Sequence, residues 1–437
     1  MPIRNWLAIV TVSVLSLACW QASHGAKPKD DVAELYGVFV DAVEQVQQNY
    51  VRPVTRRELM ESAMRGMLGD LDQHSTYINT SQWKTFKRQI EGKFGGLGIT
   101  VEVDEDSKRL KVVAPMVGTP AYAGGVMAGD LIMEIDGTST EGLTIDKAIE
   151  LLQGQPGTPV KLQVLHEVTE KVETLTINRA IIDVPSVMGD KRKPNDEWDF
   201  MLDPAKKIGY IRITNFIQNT VEEVKAALKE LDAQGMKGLI VDLRDDPGGL
   251  LSAAVEISDL FVEDGKIVST RGRNTAEKTF EARREGTYLG FPMAVLVNHN
   301  SASASEIVAA CLQDHDRAVV IGERSFGKGS VQNILDLEDG DSVLKLTVAT
   351  YWRPSGKNIH RFKNAKESDE WGVSPSPGLE LKLSREEYHD WLLGRRDRDF
   401  LSSHNKPKAP KDGEKAKPYT DKQLDKSLAV LTEKLPK

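Results

Sequence analysis

The sequence predicts a mixed α/β protein: a core of repeated strand–helix units, an inserted small and mostly-β module, and a helical region at the N-terminus. Three observations predict it. Near-continuous apolar runs alternate with helical patterns from about Lys206, short β segments crowd between Lys93 and Arg179, and apolar residues recur at helical spacing from Val32. At 437 residues, 40% hydrophobic and 28% charged, the chain has ordinary globular composition and length for two or three domains. A net charge of −8 supplies none of the basic footprint of a nucleic-acid binder, so nucleic acid is excluded as a partner.

"MPIRNWLAIVTVSVLSLACWQASHGAKPKD" opens with Arg4, an apolar stretch from Trp6 to Ala18, and small residues before Lys27. That order predicts a signal peptide over 1–26, cleaved near Gly25 or Ala26. The apolar run is short for a membrane span, although an uncleaved anchor is the alternative. The expected location is therefore outside the cytoplasm, periplasmic or associated with the cell envelope. Cys19 follows Leu17-Ala18 as in a lipoprotein site, but Ser16 stands where such sites usually carry leucine. Without this segment Cys311 is the sole cysteine, and no internal disulfide can form. There is no HExxH and no CxxC, and the eight histidines are scattered, so neither metal nor cofactor is expected.

The helical region spans 27–84. Val32, Leu35, Phe39, Ala42, Val43 and Val46 share one helical face, and Thr55 three residues ahead of Glu58 has capping-box spacing for a second helix to about Gly69. Asp72 and His74 suggest an acid–base pair, but a loop that caps helices is the plainer reading. The β module spans 85–180, with strands at "LGITVEV", "LKVVAPMV", "DLIMEIDG" and "VKLQVL" and one helix at "TIDKAIELLQ". Ahead of its first strand stands "GGLGI", residues 95–99, whose glycines free backbone N–H groups for an anion such as a peptide carboxylate, or simply turn the chain.

The core spans 181–400. "KIGYIRI", "GLIVDL", "MAVLVN" and "AVVIG" read as buried strands, and "LLSAAVEISDLF" and "SEIVAACLQDH" as helices. "TVEEVKAALKELDAQG" is a further helix, with Thr220 and Glu223 at capping-box spacing. Residues 401–437 form a Lys- and Pro-rich linker and then a final helix, "DKQLDKSLAVLTEKL". Two sharp strand-to-helix joints stand out, "RDDPGG" and "NHNSASAS", placed where open α/β sheets gather their active sites.

The serines of "NHNSASAS" precede a helix, where serine is an ordinary cap. A nucleophilic serine needs a base, and no G-x-S-x-G elbow occurs. His299 is near in sequence, but adjacency in a loop gives no geometry. Lys328, between Gly327 and Gly329 in "GERSFGKGSVQ", is the other choice, because a buried lysine sheds its charge and can accept a proton. A phosphate contact or an exposed turn would account for it equally well.

Two resemblances sharpen this reading. "GTPAYAGGVMAGDLIMEIDG" resembles the central stretch of PDZ domains. "SASASEIVAACLQDHDRAVVIGERSFGKGSVQ", together with "GMLGDLDQHSTYI", "VDLRDDPGGLL" and "TVATYWRPSGKNI" in that order, resembles the carboxyl-terminal processing, or tail-specific, proteases of peptidase family S41. The resemblance implies an α/β protease core with crotonase/ClpP-like β-α units and an inserted PDZ domain. It implies a serine endopeptidase with a Ser-Lys dyad of Ser303 and Lys328, 25 residues apart. It further implies Gln332, one helical turn past the lysine, as its orienting partner, and an oxyanion hole from the backbone N–H groups of Gly248 or Gly249 and of Ala304. Asp314 falls at a position sometimes counted with the catalytic group, but a structural role is the expected one, because a dyad requires no acid. Ser301 is expected to shape the loop, and Ser305 to cap the helix beginning near Glu306.

In the PDZ domain, Gly95, Gly96, Leu97, Gly98 and Ile99 would bind a substrate's C-terminus, with Leu97 and Ile99 lining a pocket for its last apolar side chain. Expected partners are proteins or peptides with apolar C-terminal tails, a regulatory adaptor protein, and further copies of the chain in a homo-oligomer. A non-catalytic ligand-binding protein or a PDZ scaffold on the same fold is the competing reading. Two departures from the family stand out. Asp245 and Asp246 occupy places where relatives tend to carry asparagine-like residues, adding charge near the oxyanion hole, and "HRFKNAKESDEWGVSPSPGLEL" is a longer, more charged link than usual.

Overall fold

The computed structural model describes residues 31–167, 169–399 and 420–435. The expected signal peptide, with Cys19, and the linker at 401–419 lie outside the described residues. The chain divides into two compact units at Asn79/Thr80.

The first unit holds helices α1 (Asp31–Asn49) and α2 (Arg56–Gly69) and a short strand β1 (Thr76–Ile78). Thr55 and Glu58 close the expected capping box: the Glu58 N–H donates to Thr55 Oγ1 at 3.1 Å, and the Thr55 N–H to Glu58 Oε2 at 2.7 Å. The apolar positions of α1 stand largely in solvent, with Leu35 and Tyr36 each 67% exposed. Asp72 accepts the N–H groups of His74 and Ser75 at 2.7 and 2.8 Å and the Ser75 hydroxyl at 2.7 Å, which makes it the organiser of a turn.

The second unit opens with α3 (Thr80–Glu91), which straddles the domain boundary expected at 84/85. Its few apolar residues, Trp83, Phe86 and Ile90, are outnumbered by polar ones and hid it; Trp83 stacks on Phe86 at 5.7 Å. Strand β2 (Lys93–Gly96) follows, and then the β module: β3 (Ile99–Val103), β4 (Leu110–Pro115), β5 (Leu131–Ile135), α4 (Ile145–Leu152), β6 (Pro159–Leu165) and β7 (Val172–Asn178). These strands form an antiparallel sheet in the order β3-β4-β5-β6-β7, leaving β3 at an edge. Alternation along β4 and β6 sends Leu110, Val112, Val160, Leu162 and Val164 into one core with Ile132, Ile135 and Ala148. Strand β7 escaped the sequence reading because its polar residues bury only Ile177. The chain leaves through β8 (Ala180–Asp183), which pairs antiparallel with β2, Gly96 opposite Ala180 and Gly95 opposite Ile181, so both ends of the insert run side by side.

The core continues with β9 (Ile208–Ile213), α5 (Thr220–Ala233), β10 (Gly238–Asp242), α6 (Leu251–Asp259), β11 (Lys266–Arg271), β12 (Lys278–Glu281), β13 (Met293–Val297), α7 (Ala304–Asp314) and β14 (Ala318–Gly322). It ends with β15 (Ser330–Leu337), β16 (Ser342–Trp352), α8 (Arg385–Asp399) and α9 (Lys422–Lys434). Strands β9-β10-β13-β14 run parallel in that order. Every residue of β9, β10 and β13 is buried, because helices cover both faces of the sheet. Leu228 and Leu231 of α5, Ile257 of α6 and Ile307 and Val308 of α7 pack on Leu239, Val241 and Val295, while Leu424 and Leu431 of α9 pack on Ile240, Ala294 and Leu296. The final helix thus docks, as its periodicity predicts. A second, antiparallel sheet places β11 between β12 and β16 and pairs β16 with β15.

One predicted motif is absent. Thr220 and Glu223 make no capping box, since the N-cap of α5 is Asn219. Thr220 Oγ1 accepts the Ile217 N–H at 2.9 Å, and Glu223 Oε2 takes the N–H groups of Ser186 and Val187 and the Ser186 hydroxyl at 2.8, 2.9 and 2.8 Å. Tertiary donors won over the local one. Removing the carboxylate orphans three donors, so Glu223→Ala should lose about 2–3 kcal/mol. Its exposed neighbour Glu222, paired with Lys225, should lose less than about 0.5 kcal/mol as Glu222→Ala. Thermal unfolding of the two variants checks this, and equal shifts would contradict it.

Candidate active site

The parallel order β10-β13-β14 sets three loops side by side at the strand C-termini: 243–249 leading to α6, 298–303 leading to α7, and 323–329 leading to β15. The first two are laced together. Ser301 Oγ donates to the Leu243 carbonyl at 2.7 Å and accepts the Asn298 N–H at 2.9 Å, the loop-shaping part expected of it. Asn298 and Asp245 exchange two bonds of 3.0 Å, and Asn300 Nδ2 donates to Asp245 at 2.7 Å. The Asp246 carbonyl accepts both the Ala302 N–H and the Ser305 hydroxyl at 3.0 Å. Gly248, at φ +91°, lies so close to the second loop that a Cβ would meet the Ala302 carbonyl at 2.5 Å and Ser303 Cβ at 2.8 Å. Only glycine fits there.

The third loop is tied in by Glu306, a residue the sequence reading passed over. Its buried carboxylate has four donors. Oε1 accepts the Ser325 hydroxyl and the Gly327 N–H, both at 2.6 Å, and Oε2 accepts the N–H groups of Ser303 and Lys328, both at 2.8 Å. One oxygen thus holds the backbones of the proposed nucleophile and the proposed base. Burial pushes the carboxyl up to about 7, against the pull of these four bonds. Glu306 stands three residues after Ser303, the spacing that identified Thr55 and Glu58, so a capping-box search at this serine would have found it.

Ser303, not Ser305, is the N-cap of α7, and it adopts a left-handed φ of +58°, rare for a side-chain-bearing residue and typical of strained functional positions. Ser305 is already inside the helix, its hydroxyl spent on Asp246. Lys328 is half-buried, and burial, reinforced by the charge of Lys345 and opposed by Glu306, lowers its ammonium below the usual lysine range.

The expectations for Gln332 and Asp246 need correction, and Asp314 stands apart from Ser303. Gln332 is not a helical turn beyond Lys328 but in strand β15, where its amide donates to Ser330 Oγ at 2.8 Å and Thr347 Oγ1 at 3.2 Å. Asp314 is at the opposite end of α7 from Ser303, about 16 Å away at 1.5 Å per residue. It is held there by Arg353 in two bonds of 2.9 and 2.6 Å and by the Ser355 N–H, and these outweigh its burial to keep it ionised. The added charge expected from Asp246 is disfavoured: the side chain is fully buried, and burial holds its carboxyl well above the carboxylate range. Its Oδ1 accepts the Gly248 N–H at 2.8 Å, leaving the Gly249 and Ala304 N–H groups as the oxyanion donors to consider. His299 is exposed and faces Glu323, not the serine.

In the β module, Gly95 and Gly96 belong to β2 and pair with β8, which removes them from the expected loop. Leu97 is buried, and its carbonyl accepts the Ala121 N–H at 3.0 Å. Gly98 turns at φ +74° with Thr119 where a Cβ would be, and its carbonyl accepts the Met116 N–H at 2.8 Å. Ile99 opens the edge strand β3, against which α4 packs.

The PDZ domain family matches residues 86–165 and peptidase family S41 matches residues 207–367. The carboxy-terminal-processing protease of Bartonella bacilliformis is 37% identical over 90% of this chain and 87% of its own. The carboxyl-terminal-processing protease of a Synechocystis species is 35% identical over 77% and 75% of the two chains. A solved photosystem II D1 C-terminal processing protease is 29% identical over 79% of this chain and 92% of its own, with a TM-score of 0.44. With this identity carried through nearly the whole length of the Bartonella relative, the chain belongs to the carboxy-terminal processing proteases, serine-type peptidases of family S41 with a PDZ domain.

Proposed function

We propose that this chain is an exported endopeptidase that cuts proteins selected by their C-terminal tails, with Ser303 as nucleophile and Lys328 as general base. The observation that carries this reading is the single Glu306 oxygen shared by the Ser303 and Lys328 N–H groups, which binds the two loops at their reactive residues. The lowered Lys328 ammonium supports the base role, since a neutral amine has the lone pair needed to take a proton. Ser303 Oγ attacks the scissile carbonyl carbon as its proton passes to Lys328 Nζ. The oxyanion forms beside the Ala304 N–H at the start of α7, with a glycine N–H of the 243–249 loop opposite. Lys328 then returns the proton to the departing amine, and water repeats the sequence on the acyl-serine ester to release a carboxylate.

Ser303→Ala and Lys328→Ala should each lower cleavage of a protein with an apolar C-terminal tail roughly 10^3-fold or more while the fold is kept, because members of a unit are not additive. Substantial cleavage by folded Lys328→Ala protein would exclude the dyad.

Cleavage should rise with pH across about pH 6 to 9. Lys328 loses its proton in that direction, and Glu306 ionises as the pH rises through about 7. A flat profile would count against a lysine base.

The edge strand β3 supports a PDZ reading in which a substrate tail adds as a further strand and its carboxylate meets the N–H groups of Leu97 and Gly98. Amidating the C-terminus of a binding peptide should weaken binding about ten- to a hundredfold, from the loss of about 1.5–3 kcal/mol of charge-assisted bonding. Titration calorimetry of acid and amide peptides against Ser303→Ala protein makes the comparison; equal affinities would leave "GGLGI" as a turn.

A further inference from the structure

The loop that faces Ser303 is gripped at two consecutive residues from the C-terminal end of the chain. Arg244 is 4% exposed and donates to both oxygens of Asp242 and, through Nη1 and Nη2, to both oxygens of Asp421 at 2.9 and 2.8 Å. Its guanidinium lies 4.6 Å over the Trp391 ring of α8, and Trp391 Nε1 also donates to Asp421, at 3.0 Å. Asp421 in turn caps α9 through the Leu424 N–H at 3.0 Å. The next residue, Asp245, takes a left-handed φ of +57°. Besides Asn298 and Asn300, its Oδ1 accepts the Tyr388 hydroxyl of α8 at 2.8 Å. Tyr388 stacks on Trp391 at 5.7 Å, so the two grips share one aromatic step.

A residue in a left-handed conformation stays there only when its surroundings over-determine it. Here those surroundings are Asn298 and Asn300 of the neighbouring loop and Tyr388 of α8, while Trp391 of α8 and Asp421 at the start of α9 hold Arg244 beside it. Three residues past Asp245, Gly248 rests against Ser303 with no room for a Cβ. A small drift of the loop therefore moves backbone at the reacting centre, and misplacement of about 1 Å can cost about 10^2-fold in rate.

We propose that Tyr388 and Asp421 are positioning residues for peptide hydrolysis, fixing the 243–249 loop against Ser303 from the two C-terminal helices. The inference rests on the reading of Ser303 as nucleophile. Neither residue touches substrate in this account. Their effect is on turnover and not on the capture of a substrate tail, which belongs to a different part of the second unit.

The test uses full-length wild type, Ser303→Ala, Tyr388→Phe, Asp421→Asn and Leu431→Ala, with kcat and KM on one tailed substrate and a melting curve for each. Leu431 is fully buried on α9, away from the loop grips, and its truncation reports what loosening the helix alone does. Tyr388→Phe removes one hydroxyl and should fold. Its kcat should fall about ten- to a hundredfold with KM within about twofold. Asp421→Asn should lose more kcat than Leu431→Ala at an equal or smaller drop in melting temperature. Wild-type kcat in Tyr388→Phe would overturn the proposal for Tyr388. A kcat loss in Asp421→Asn that merely tracks melting temperature as in Leu431→Ala would overturn it for Asp421. Cleavage by Ser303→Ala at the wild-type rate would instead remove the nucleophile reading, and this inference with it.

Discussion

A buried carboxylate is tolerated when every lone pair that leaves water finds a donor, and Glu306 meets that condition with four. The geometry of the site follows from it. The donors come from the loops after β13 and β14, so satisfying one charge fixes the separation of two chain segments. The same carboxylate is in the first turn of α7, where the helix favours negative charge. The sharp turn at Ser303 is held in place by the bond from its own N–H to a side chain three residues on.

The sheet beneath explains why such precision is available. Three neighbouring parallel strands, buried on both faces, end at one level and leave little slack in the loops they launch. Their helices pack on one face, and α9 closes the other. The C-terminal helices therefore complete the hydrophobic core and also reach, through polar side chains, the loop beside Ser303.

How much of this was legible depended on whether the cause was local. Strands such as "MAVLV" are fully buried and read as uninterrupted apolar runs, and Thr55 with Glu58 is a signal contained in four residues. The hairpin β15–β16 was missed because β15 exposes Asn333 through Asp336, apolar Ile334 and Leu335 among them, and so offers no clean alternation. Thr220 and Glu223 have the right spacing and the wrong partners, since Ser186, 37 residues away, outcompetes the local N–H. Ser303 and Lys328 could be nominated from motifs, but no pattern reveals Arg244 with Asp421, 177 residues apart. Asp246 shows the limit of charge counting: formal charge is read from the letter, whereas burial decides whether the proton leaves.

The paired stem of β2 and β8 has a consequence for how such a chain can diversify. The PDZ insert enters and leaves the second unit on two adjacent strands whose register is set mainly by backbone bonds, Lys93 opposite Asp183 through Gly96 opposite Ala180, with one ion pair, Lys93 to Asp183 at 2.9 Å, across the stem. Backbone pairing is indifferent to what lies beyond it. A different module could be exchanged between these anchor points without altering the loops that hold Ser303 and Lys328, so on the proposed reading recognition and chemistry are free to evolve at separate rates.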